Sequence, residues 1–385
     1  MNKIKYGMVG GDLQAFIGEV HRKALALDQR AELVAGCFSS NYEKNKLTGE
    51  AYHLDNERIY LNFHEMALKE ANRNDKIDFV IIATPNNSHY EIAKTFLNKG
   101  FNVVCEKPLS FTVEEAEELT KLADQKKLLF AVMYSYSGYA MVKYAKEMIE
   151  SGMIGKVLTV SAEYAQDWLI DQANKEETKE TSPSVWRMDP KYSGISNCVG
   201  DIGTHIENTV YYLTGFKIKR LLAVTENFGQ KLDLDAKIIV EYDNGIFGHY
   251  WSSQVALGRI NGLLIRIYGE KGSIEWEQHF PDYLKFTPKD RPTETLSKRA
   301  NYLNLNASKY GRVPSGHPEG YIIAFANIYR NIITTLIKVK NNEQLTKEDL
   351  DFPKALDGLN GVKFVHAVIE SSKNNSKWIT INKGE

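Results

Sequence analysis

Val103-Val104-Cys105-Glu106-Lys107-Pro108 is an apolar run that ends on an acid, a lysine and a proline. A short apolar run closed by a turn signal is the pattern of a buried strand, and proline cannot continue the ladder. Lys107 therefore stands at a strand end, as a fixed cation rather than a mobile surface charge. A solvated strand end is the plainer reading of the same Glu-Lys pair. Upstream, residues 4–9, 32–38 and 77–83 are strand patterns, and residues 15–27, 63–71 and 88–99 are helical patterns. Downstream, a helix over 112–125 opens with Thr112 and Glu115 at capping-box spacing, and a last strand covers 128–133. Short apolar strands alternating with helices predict right-handed βαβ units and a parallel sheet.

The pattern changes after residue 135. A helix is expected over 142–151, and strands over 156–165, 218–226, 236–242, 246–252, 263–268 and 273–276. Asp243-Asn244-Gly245 is a hairpin turn signal between two of these. Longer alternating strands joined by hairpins predict a mostly antiparallel sheet. Residues 171–184 and 287–315 read as polar loops. The fold class expected is α/β: a parallel-sheet domain over 1–134, then an α+β domain with a mostly antiparallel sheet over 135–385.

Composition narrows the field. The 385 residues exceed one ordinary core. Lys plus Arg number 48 against 49 Asp plus Glu, so no bulk field draws the chain to nucleic acid or to an anionic membrane. No apolar run approaches the ~20 residues that span a bilayer. The N-terminus runs into a strand pattern without a signal-peptide core, and Cys37, Cys105 and Cys198 lie far apart. A cytoplasmic protein without disulfides and without a bound metal is expected.

Four stretches carry chemistry. Gly7-Met8-Val9-Gly10-Gly11-Asp12 stands where the first strand meets the first helix, where glycine lets backbone approach a pyrophosphate. Asp12 and Gln14 occupy positions where further glycines are usual, and Gly18 comes late, so a plain strand–turn–helix stays open. The second strand ends in Ser39-Ser40 with no acid before Glu43, which admits NADP as well as NAD. Thr84-Pro85-Asn86-Asn87-Ser88-His89 is a loop at the sheet's carboxyl edge, or a helix start capped by Ser88. Asp201 and His205 in Gly200-Asp201-Ile202-Gly203-Thr204-His205 are four apart, which in an α-helical turn puts them on one face. An acid beside a histidine orients it for general acid–base work; a cap on a helix that buries its histidine is the alternative. Trp168, Trp186 and Arg187 precede Asp201, where rings stack on a sugar or nicotinamide or simply pack. His317 follows a polar loop and starts a helix or meets substrate.

These motifs, in this order, make the chain resemble the glucose-fructose oxidoreductase / inositol dehydrogenase / rhizopine catabolism (Gfo/Idh/MocA) family over nearly its whole length. The resemblance implies a Rossmann domain and a second domain whose open sheet makes a homodimer or homotetramer. It implies a catalytic set of Lys107, Asp201 and His205. It implies cofactor contacts from Gly10, Gly11, Phe16, Ile17, Ser39, Ser40, Thr84, Pro85, Asn86, His89, Glu106, Lys107, Trp186 and Arg187. Lys107, Tyr136, Trp168, Asp201, His205 and His317 are its expected substrate contacts. The function expected is NAD(P)-dependent hydride transfer at a secondary alcohol of a sugar or cyclitol. Two rivals stand beside it: a glycosidase working by transient oxidation and elimination, and a non-catalytic dinucleotide or sugar sensor.

Overall fold

Strand β3 (Phe79–Ala83) is buried at every position, because a parallel sheet between helix layers leaves neither face to water. It lies at the centre of a five-stranded parallel sheet with β1 (Ile4–Gly10), β2 (Ala31–Cys37), β4 (Asn102–Cys105) and β5 (Phe130–Val132), in the order β2-β1-β3-β4-β5. A computed structural model gives this architecture, and it describes residues 3–173, 185–303 and 305–381. Each strand is followed by a helix, and the carboxyl ends of β1, β3 and β4 are neighbours. The helix Val113–Lys126 starts with the expected capping box: Glu115 N–H donates to the Thr112 hydroxyl and the Glu115 carboxylate takes the Thr112 N–H. Such a cap contributes about 1 kcal/mol.

The second sheet has nine strands: β6 (Val157–Ala165), β7 (Ile218–Glu226), β8 (Asp235–Tyr242), β9 (Phe247–Ser253), β10 (Gly262–Gly269), β11 (Gly272–Glu277), β12 (Tyr283–Pro288), β13 (Glu294–Ser297) and β14 (Ile379–Thr380). Their order is β13-β12-β11-β10-β6-β9-β8-β7-β14, and among the described residues of this sheet only β6 and β9 pair in parallel. In β8, Ala236, Ile238, Val240 and Tyr242 are buried, while Lys237 and Ile239 face out with Val224 and Phe247 of the neighbouring strands. Asp243-Asn244-Gly245 makes the hairpin, with Gly245 at φ +80° and its N–H on the Tyr242 carbonyl.

The chain divides into two compact units, residues up to Gly138 with Tyr321–Leu359, and Tyr139–Gly320 with the residues from Asn360 onward. The sequence reading placed everything after 134 in the second domain, whereas Tyr321–Leu359 clusters with the first unit. The reason is the helix Tyr321–Lys340, whose Phe325, Ile328, Tyr329, Ile332 and Leu336 join Ile4, Tyr6, Met8, Phe79 and Ile81 in the first unit's core. That helix also has the length and hydropathy of a membrane span, yet 61% of its apolar 18-residue window is buried inside the fold. A correction concerns 287–315, expected to be loop: β13 and the end of β12 lie there and extend the sheet. The other expected loop, 171–184, lies largely outside the described residues.

Candidate active site

In the first unit the site begins at the turn after β1. Gly10 and Gly11 hold φ of +79° and +75°, a region that L side chains avoid. A Cβ on Gly10 would meet the Ala83 carbonyl oxygen at 2.4 Å and the Thr84 methyl at 2.8 Å. The glycine turn and the loop after β3 are thus in direct contact. Asp12 turns into its own loop, its carboxylate accepting the Gln14 N–H at 3.0 Å. The helix Phe16–Leu27 starts at Ala15, which has no side chain to cap it. Its first-turn N–H groups, those of Phe16 and Ile17 among them, are oriented as an anion site. Gly18, read from the sequence as late, supplies the close approach: a Cβ there would lie 2.4 Å from Gly11 Cα. A bare backbone cradle under an uncapped helix end fits the pyrophosphate of a dinucleotide.

At the end of β2, the Ser39 hydroxyl accepts the Asn41 N–H at 3.2 Å, and Asn41 caps the helix Tyr42–Ala51 through the Lys44 N–H. Ser40 is exposed, and the Lys44 ammonium reaches Gln14 at 3.3 Å. After β3, Pro85 leads into a short helical turn, Asn86–Ser88. Ser88 does not cap the next helix as anticipated; its hydroxyl turns back to Thr84 Oγ1 and the Pro85 carbonyl. His89, expected to touch the cofactor, is fully buried, with Nδ1 on the Pro108 carbonyl at 2.8 Å and Nε2 on the Thr84 carbonyl at 2.9 Å. Burial pushes its pKa down, while both carbonyls favour the doubly protonated ring. Its side chain braces the loops after β3 and β4 together.

Glu106 is buried and divided between two donors. Its Oε1 receives His21 Nε2 at 3.0 Å, and its Oε2 receives the Lys107 N–H at 3.3 Å. His21 Nδ1 meets the Tyr329 hydroxyl at 2.6 Å. Burial drives the Tyr329 phenol far above its ordinary pKa, so it stays protonated and donates to Nδ1. The Nε2 proton then points at Glu106. Sequence reasoning gave His21 no role. Lys107 itself is half-buried and is joined to Pro108 by a cis peptide bond. Tyr136 is buried in the turn Ser135–Gly138, which is pinned by Asn327 Nδ2 on the Gly138 carbonyl at 2.9 Å.

In the second unit, Asp201 lies in a π-helical turn, Val199–Gly203, and His205 in the α-helix Thr204–Thr214 that continues it. The π turn replaces the α-helical pitch expected between the two residues. Asp201 takes Arg187 Nε at 3.4 Å and Gln254 Nε2 at 3.1 Å. The Arg187 guanidinium also lies over the Trp186 ring, 4.6 Å from its centre. His205 is buried, with the Tyr164 ring 6.1 Å away. Tyr164 OH and Gln166 Nε2 both donate to Asn261 Oδ1, and the Trp168 indole donates to Gln166. Trp168 and Tyr164 are thereby linked through Gln166 and Asn261, whereas His317 sits exposed on a turn. Among the described residues, no three His, Cys, Asp or Glu side chains form a metal-binding cluster.

Comparison with known proteins gives the family. Residues 4–134 match the model described as oxidoreductase family, NAD-binding Rossmann fold. Residues 142–275 match the GFO/IDH/MocA C-terminal domain. The oxidoreductase YfiI of Bacillus subtilis (strain 168) is 34% identical over 98% of this chain and 96% of its own length. An oxidoreductase structure from Sinorhizobium meliloti is 39% identical, with a TM-score of 0.88 over 99% of this chain and 100% of that one. An inositol dehydrogenase homolog from Azotobacter vinelandii, solved with NAD+, is 31% identical, with a TM-score of 0.91 over 98% of this chain and 97% of that one. The same homolog was also solved with NADH and myo-inositol. A glycine cradle in a parallel sheet, joined to this second sheet, defines an NAD-binding oxidoreductase. Among such enzymes, the chain belongs to the Gfo/Idh/MocA family.

Proposed function

We propose that the protein is a dehydrogenase that interconverts a secondary alcohol and a ketone on a cyclitol, a sugar or a sugar derivative. The observation that carries this is the Glu106-Lys107 strand end in an NAD-binding unit, with Glu106 locked by His21 and by the Lys107 backbone. Bound NAD supplies a two-electron hydride acceptor. Lys107 holds fixed positive charge for the alkoxide that develops as the hydroxyl proton leaves, with little reorganisation. His205 receives that proton at its imidazole. Asp201 favours the imidazolium so formed, and Arg187 and Gln254 keep Asp201 oriented. Trp168 and Tyr136 are assigned to the substrate's ring faces and hydroxyls. The cofactor preference is assigned to Ser39 and Ser40.

The A. vinelandii complex with myo-inositol supports a polyol substrate. Outward-facing Val224, Ile239 and Phe247 on the second sheet support a homo-oligomer formed through that face. Three buried free thiols suit a reducing cytoplasm. The test is absorbance at 340 nm with NAD and NADP, each crossed with cyclitols, sugars, sugar acids and glycosides. Accumulation of reduced cofactor with at least one polyol is the expected result. Aglycone release without net reduction would replace this reading by oxidative elimination. Tight cofactor binding with no turnover across the panel would leave the sensor.

A further inference from the structure

We infer that Gln254 is the positioning residue of Asp201, at the end of a directed chain of buried groups that starts at Asp233. The inference rests on the acid–base role given to Asp201 above. Asp233 is buried, and each of its oxygens accepts a backbone N–H, Asn197 at 2.9 Å and Val199 at 2.8 Å. Asn197 Nδ2 donates to Gln254 Oε1 at 2.7 Å, and Gln254 Nε2 donates to Asp201 Oδ2 at 3.1 Å. Asn197 and Gln254 are 1% and 0% exposed, so water does not compete. The Gln254 backbone is fixed on both sides, its N–H on the Leu234 carbonyl and its carbonyl taking the Leu169 N–H.

The direction of the chain follows from what each group can do. An ionised carboxylate only accepts, so Gln254 must offer its amide NH2 to Asp201. Its oxygen then faces backward, and Asn197 must answer with NH2. The consequence is visible at the far end: Asn197 Oδ1 is buried and has no hydrogen-bond partner. Asn197 Nδ2 also lies 3.4 Å from the Asp233 carbonyl, which holds the same orientation from the other side. A proton on Asp201 Oδ2 would oppose this orientation, so the chain favours an unprotonated Oδ2, the state that supports an imidazolium at His205. The other ionisable groups facing this turn are Arg187 on Asp201, His205 on the continuing helix, Cys198 beside it, and Asp233 and Asp235 from the sheet side. Burial and the surrounding acids push the Cys198 thiol well up, so it stays neutral.

The test replaces the amide by a carboxylate of the same shape. In Gln254→Glu, two carboxylates within hydrogen-bond distance share a proton, which titrates as a coupled pair. The acid limb of the kcat/KM profile should move to higher pH by on the order of one unit or more, with NAD affinity unchanged. A loss of activity uniform in pH would overturn the inference. A second readout needs no turnover. The Tm deficit of Gln254→Glu against wild type should shrink as pH falls, because the buried pair takes up a proton. Adding Asp201→Asn should weaken that pH dependence, leaving the part due to burial alone. A pH dependence undiminished by Asp201→Asn would also overturn the inference. If Gln254→Glu does not fold, Gln254→Met is coupled to Asp201→Asn in a double-mutant cycle of Tm; strict additivity is then the refuting result. Full kcat in Asp201→Asn alone, with the Tm coupling present, would support the chain and remove Asp201 from the acid–base step.

Discussion

Gly18→Ala tests how the cofactor is seated. The new methyl would stand 2.4 Å from Gly11 Cα and 3.0 Å from the Gly11 carbonyl carbon and oxygen. Carbon atoms pack at ~3.5 to 4.0 Å, so the helix Phe16–Leu27 must withdraw from the turn by roughly 1 Å or more. Every atom it meets is backbone, so no side-chain rotamer relieves the clash. A hydrogen bond from a first-turn amide to a pyrophosphate oxygen, ~2.9 Å long, does not survive that displacement. Losing one charge-assisted hydrogen bond costs ~1.5 to 3 kcal/mol, which weakens NAD binding roughly 10- to 100-fold. Overpacking should also cost about 1 to 3 kcal/mol of stability in the free protein. NADH fluorescence titration reads the first effect and thermal denaturation the second. A Kd within about threefold of wild type would refute the claim that this contact seats the pyrophosphate.

Lys107→Ala should lower kcat roughly 10²-fold or more while NAD affinity is largely kept, since one preorganised charge is removed from the reacting centre; wild-type turnover would end its catalytic assignment. His21→Leu leaves the Glu106 carboxylate and the Tyr329 hydroxyl each short of a partner, and should cost about 1 to 3 kcal/mol of stability together with a fall in kcat. Partial recovery in His21→Gln, measured by Tm and steady-state kinetics, distinguishes lost hydrogen bonding from lost volume. Ser39→Asp and Ser40→Asp, made in parallel, add the carboxylate that repels a 2′-phosphate and accepts from a ribose diol. The NADP/NAD ratio of kcat/KM should fall about tenfold or more in one of them, ~1.4 kcal/mol per decade, and an unmoved ratio in both would place the ribose pocket elsewhere.

What was legible in the sequence was what neighbours in the sequence decide. The strand of residues 77–83, the capping box at Thr112 and the hairpin at Asp243-Asn244-Gly245 are each fixed by a few adjacent residues, and each was found. Glu106-Lys107-Pro108 was legible as a strand end for the same reason. The grip on Glu106 was not, because His21 lies 85 residues away and Tyr329 a further 308 from His21. A histidine inside an amphipathic helix pattern shows no sign of its partners. The four-residue spacing of Asp201 and His205 was legible, but the π turn that carries Asp201 was not, because no local residue marks it. Gly18 looked misplaced because Asp12 to Ala15 form an extra loop before the helix starts, which delays the close contact without abolishing it. Residues 321–340 read as part of the second domain because nothing local marks which core an apolar helix joins.

That helix has a consequence for synthesis. A ribosome releases the five strands of the first sheet early, yet the side chains that cover Tyr6, Met8 and Phe79 arrive only with Phe325, Ile328 and Tyr329. Until then Val20, Ala24 and Leu25 cover only part of the sheet's apolar face while some 180 residues of another unit emerge and pair among themselves. Fragment expression meets the same obstacle: a piece ending at residue 138 lacks a wall of its own core. Any split or graft of this protein must carry 321–359 with the N-terminal piece, by two cuts rather than one.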